Sequence, residues 1–161
     1  MTEFAFNIDV PVRTEWKNVN LLVTSVQNCF NAMFVNVEGS QTIAMVTGEL
    51  LENAIKYGAW DTADHQLFRL SVAGRDGRAR VVVQNPGEES SVAVLARTLK
   101  WIKSFETPEE AYRAKLLEIA QAPPSVEVSK LGLVRIAYEG ACTIDASFDN
   151  GIVRVTADVA L

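Results

Sequence analysis

The chain has 161 residues, of which 48% are hydrophobic and 22% charged, with a formal net charge of -5. That length gives one domain with a substantial core, and the composition is that of an ordinary soluble globular protein. The acidic balance offers no basic stripe to displace counterions, which argues against nucleic acid and against an anionic membrane as partners.

No apolar run approaches the roughly 20 residues of a membrane span. The opening "MTEFAFNIDVPVR" has neither a basic leader nor a long apolar segment, so the expected location is cytoplasmic. Cys29 and Cys142 lie in apolar segments and are expected to be buried free thiols. Two cysteines and a single histidine, His65, exclude cysteine-rich and multi-histidine metal sites. His65 itself reads as a surface residue in a polar loop.

"FAFNIDV" (Phe4 to Val10) alternates apolar and polar residues before Pro11 and predicts a strand, whose edge is open for pairing two copies. Thr14 is positioned to cap a helix that carries apolar residues at helical spacing through "NLLVTSVQNCFNAMF". A break at Glu38-Gly39-Ser40 suggests Ser40 as the cap of a second helix, stopped after Tyr57 by Gly58. "LFRLSVAG" and "RARVVVQN" flank Asp76-Gly77, a hairpin signal, and "NPG" from Asn85 to Gly87 ends the second strand.

Helical segments follow around Val92 to Phe105 and Glu109 to Gln121, the latter with Thr107 as cap and Pro108 in the first helical position. "APPSVEVSK" is a connector, "LGLVRIAYEG" a short helix, and "CTIDASF" and "IVRVTADV" a second hairpin around Asp149-Asn150-Gly151. Trp16, Trp60 and Trp101 read as packing residues. This order predicts an α+β fold: a two-layer α/β sandwich, with a mixed or antiparallel sheet and helices on one face. Residues 1–161 form a single domain on this reading.

Within "TGELLENAIKYG", Glu49, Asn53 and Lys56 fall within about 60° of one another at roughly 100° per residue. Such a stripe suits the wet face of an amphipathic helix, with Glu52 and Lys56 paired one turn apart. It also suits a site. An amide oxygen is a neutral ligand for Mg²⁺, and a carboxylate one turn earlier can take a proton from water or a hydroxyl.

The motif series "ELLENAIKYG", "VVVQNPG" and "KLGL" resembles the histidine-kinase-like ATPase family, also called GHKL or Bergerat-fold proteins. Its members include sensor-kinase catalytic domains, gyrase B and the anti-sigma-factor serine kinases. The short chain is most similar to the last of these. The resemblance implies a Bergerat-type fold that binds ATP with Mg²⁺. On it, Glu49 takes the place of the catalytic carboxylate and Asn53 that of the Mg²⁺ ligand, and Lys56 approaches phosphate. Asn85 takes the place of the family's adenine-reading Asp, followed by Gly87. Lys130, Leu131, Gly132 and Leu133 match the later glycine box, where backbone N–H groups meet phosphate oxygens.

The glycine boxes depart from the family pattern. Asn85 has lost the charge of an Asp, "NPGEE" lacks a second glycine, and the later box keeps only Gly132. The lid region, about residues 88–129, reads as a helical insertion, and its helix "PEEAYRAKLLEIAQ" offers a face for a protein partner. Three functions stay open at this point. One is an Mg-ATP-dependent serine/threonine kinase of bacterial partner switching, acting on an antagonist domain or binding a sigma factor. The others are a nucleotide-independent interaction module and an unrelated binding protein.

Overall fold

The computed structural model describes residues 4–11, 19–33, 37–59, 67–123 and 131–161. Among them run β1 (Phe4–Pro11), α1 (Val19–Met33), α2 (Val37–Tyr57), β2 (Leu67–Arg75), β3 (Arg78–Pro86), α3 (Glu89–Lys103), α4 (Pro108–Gln121), α5 (Leu131–Tyr138), β4 (Thr143–Asp149) and β5 (Ile152–Ala160). Thr14, Trp16, Trp60, His65 and Lys130 lie outside the described residues.

Two tight turns set the hairpins. Asp76 and Gly77 have φ of 55° and 76°, and Asn150 and Gly151 have 49° and 78°. Paired left-handed residues match the twist of the flanking strands, and glycine takes that region without a Cβ penalty. The strands form one sheet in the order β1-β2-β3-β5-β4, with every neighbouring pair antiparallel. β1 is therefore an edge, as its sequence suggested.

Strand alternation sends Phe68, Leu70 and Val72 of β2, Val81 and Val83 of β3, and Val155, Ala157 and Val159 of β5 into the core. The opposite face is polar and laced by Arg69–Asp9 and Arg80–Asp158 pairs, each with a nitrogen–oxygen distance of 2.7 Å. Exposed pairs of this kind add little stability, so the apolar face holds the layers together. The helices cover that face, which makes the chain an α+β two-layer sandwich. Phe30 of α1 fills the end near β1, edge-on to Phe4 with ring centroids 5.3 Å apart.

α2 begins earlier than the sequence suggested. It starts at Val37, and Ser40 is a buried residue inside the helix and not its cap. Burial of the stripe Ile43, Val46, Leu50, Leu51 and Ala54 outweighs the weak helix propensity of Gly39 and Ser40. At the other end the Gly58 N–H bonds the Ala54 carbonyl at 2.9 Å, closing the helix at the expected glycine. The cap of α4 also agrees with the sequence: the Thr107 hydroxyl accepts from the Glu110 N–H, with Pro108 beginning the helix.

The cysteines differ from expectation. Both are free, but Cys29 is exposed on α1, while Cys142 is half-buried. Trp101 packs edge-on to Phe105, with centroids 4.8 Å apart, as a packing residue should. Among the described residues no helix is long and apolar enough to cross a membrane.

Candidate functional site

One carbonyl fastens the end of α2 to the end of β3. The Pro86 oxygen accepts from the Ala59 N–H at 2.9 Å and from the Asn85 Nδ2 at 2.8 Å. Asn85 is the last inward position of β3, following Val81 and Val83, and its side chain is buried at 4% exposure. On α2, Leu50, Asn53, Ala54 and Tyr57 are spaced at i, i+3, i+4 and i+7, so they share one face. That face and the end of β3 enclose a cavity of about 240 Å³.

Asn53 and Asn85 both line this cavity. Val83, Val153 and Val155 of the sheet form its apolar floor, and Leu133 of α5 reaches it as well. Another wall is α3, the start of the region expected to be a lid, which contributes Ser91, Val94 and Leu95. The Asn53 Nδ2 is buried with no hydrogen-bond partner among the described residues, as is the Thr47 hydroxyl. A buried donor without a partner costs roughly 1–3 kcal/mol, so an acceptor delivered to Asn53 by a ligand would offset a real penalty.

Glu49 does not line the cavity. It lies one turn before Asn53 and turns towards α5, where its Oε1 accepts from the Arg135 guanidinium at 3.0 Å. The same guanidinium donates through Nε to Glu139 at 2.8 Å. Gly132, at the start of α5, lies directly against the other Glu49 oxygen, and a Cβ there would overlap it. Burial and the neighbouring Glu52 push the Glu49 carboxyl above its ordinary range, against the opposing pull of Arg135.

The remaining expected site residues divide. Lys56 is exposed, with its ammonium 5.7 Å from the Tyr57 ring centroid, and it does not line the cavity. Gly87 packs against Val153, where a Cβ would collide, and its N–H bonds the Gly151 carbonyl at 3.0 Å. Its glycine is thus explained by packing between the two hairpins. Leu131 is half-buried in the first turn of α5. Among the described residues no cluster of three or more His, Cys, Asp or Glu side chains could hold a metal.

Sequence reasoning missed Arg135. Its signal was present as the lone charge within the otherwise apolar "LGLVRIAY". An arginine there needs a carboxylate partner, but only the fold identifies Glu49, 86 residues away, as one of them.

No family model and no curated protein matches the sequence. Solved structures do match the fold. A chain of the crystal structure of the SiaB–SiaC complex from Pseudomonas aeruginosa aligns over 94% of this chain and 88% of its own length, with a TM-score of 0.70 and 17% sequence identity. At that identity the likeness is one of fold.

Proposed function

We propose that the chain is a nucleotide-binding regulatory protein of bacterial partner switching, similar to the anti-sigma-factor serine kinases, and that Mg-ATP is its ligand. The observation that carries this reading is the meeting of Asn53 and Asn85, from two motifs 32 positions apart in sequence, in one mostly apolar cavity. A volume of about 240 Å³ lies below the roughly 300–1,000 Å³ of drug-sized ligand sites. It suits the base of the nucleotide, with ribose and phosphates leaving past Asn53.

The residues fit such a ligand in part. The Asn85 Nδ2 is committed to the Pro86 carbonyl, which leaves its side-chain oxygen to accept from the amino group of adenine. Asn53, with its unsatisfied amide, is the residue to hold the metal–phosphate group. When bound, Mg²⁺ would neutralise charge on the terminal phosphate. Glu49 would accept the proton of a Ser or Thr hydroxyl on the protein substrate, a role that requires the ionised carboxylate. The fold shared with a chain of a two-protein complex supports a protein partner, such as an antagonist domain or a sigma factor.

Calorimetric titration with Mg-ATP and Mg-ADP tests the reading. The parent should bind, Asn53→Ala should lose the Mg²⁺ dependence, and Glu49→Ala should bind without transferring phosphate. Nucleotide at millimolar concentration that releases no heat and shifts no melting curve would sink it.

A second reading has its own observation. Because Glu49 is paired with Arg135 and set against Gly132, the chain also suits a nucleotide-independent interaction module of the same fold. Partner binding of equal strength with and without nucleotide, and with Asn53→Ala, would select this module.

A further inference from the structure

Glu49 is gripped from several directions. Arg135 donates to it at 3.0 Å, and Gly132 supplies the open space that its second oxygen occupies. The charged groups acting on it are Glu52 from its own helix, Arg135 from α5 and Glu139 from the turn just after α5. Arg135 stands between two carboxylates and is the cation among these groups. Two residues before it, Leu133 lines the cavity, so the ion pair lies beside the base pocket without belonging to it.

We propose that Arg135 is the positioning residue for Glu49: it holds the carboxylate against Gly132, away from the cavity, and gives it up when a terminal phosphate competes for the guanidinium. The proposal rests on the nucleotide reading for its ligand, but its hold on Glu49 is a property of the free protein. Guanidinium forms paired hydrogen bonds with carboxylate and phosphate alike, which makes the exchange a swap between equivalent acceptors. Glu139 keeps the Arg135 Nε during the swap, so the guanidinium pivots without leaving α5. No covalent bond changes; the step exchanges one ionic contact for another and leaves Glu49 facing solvent and substrate.

Carbon-detected NMR titration of the Glu49 carboxyl in the free protein separates this role from simple packing. Arg135→Met should move the Glu49 midpoint upward, because burial, Glu52 and Glu139 then act without opposition. Arg135→Lys, which keeps the charge, should bring it back towards the parent. A packing role moves the midpoint in neither variant, and that result overturns the proposal.

The exchange is read on the Arg135 Nε–H resonance of the parent, which should shift with Mg-ATP and stay in place with Mg-ADP. Arg135→Met should weaken Mg-ATP about tenfold relative to Mg-ADP, the loss of one charge-assisted bond. An Nε–H signal unmoved by saturating Mg-ATP overturns the exchange. If neither nucleotide binds, the nucleotide reading and the exchange both fall, while the titrations of the free variants still judge the hold on Glu49. Circular dichroism of Arg135→Met guards against a folding defect in that variant, and Arg135→Lys keeps the test open where it fails to fold.

Discussion

Glu49 is an expensive residue for the fold to keep. Its carboxyl is raised above the ordinary range by burial first and Glu52 second, so the folded state binds a proton more tightly than the unfolded chain. Stability from this group is therefore fullest below the ordinary carboxylate range and falls as pH rises through the raised value. Glu49→Gln should melt above the parent at pH 8, and the gap should close as the pH approaches 4, as followed by thermal denaturation across pH. The thiols give a second test at this scale. Burial, with Asp158 nearby, pushes Cys142 up to about 12, and its thiol donates to the Gly140 carbonyl at 3.2 Å. Cys29 is exposed, so a thiol reagent at pH 7 should label it and spare Cys142 until the protein unfolds.

Among the elements, legibility follows the range of the forces involved. Both hairpin turns could be read from Asp76-Gly77 and Asn150-Gly151, because the left-handed backbone is a local demand. The α4 start was equally legible from Thr107 and Pro108. Thr107→Ala should cost about 1 kcal/mol in denaturant unfolding, the usual value of a lost cap. Ser40 misled for the opposite reason: a good capping residue was drawn into α2 by burial against its neighbours, which its own sequence context does not reveal. The site divides in the same way. Spacing within one helix set Asn53 on a face with Glu49 and Lys56, and the motif resemblance alone singled out Asn85; both line the cavity. The turn of Glu49 towards Arg135 depends on how α2 and α5 pack, and no local pattern encodes it.

For the whole molecule, the sheet places the cavity off-centre. The pocket lies where the ends of β3 and β5 meet α2, α3 and α5, while β1 and β2 form the other side of the sheet, packed around Phe4 and Phe30. Ligand binding should therefore stabilise the unit formed by β3, β5 and the helices around them, and leave exchange at the β1 edge little changed. On the proposed nucleotide reading, Mg-ATP at 100 times its dissociation constant should add about 2.7 kcal/mol. For a domain of this size that is a rise in melting temperature of about 5–10 °C. Hydrogen exchange with and without nucleotide would show where the protection falls.

The doubly used oxygen of Pro86 changes how position 85 should be understood. An aspartate there would have no proton to offer and would set a negative oxygen against a carbonyl now 2.8 Å from the Asn85 amide nitrogen. Asn85→Asp, which would put there the residue usual in the family that the motifs resemble, should cost about 1–3 kcal/mol in chemical denaturation. The amide thus works as a rivet between the end of β3 and the end of α2, and taking away its donor would loosen the joint it fastens.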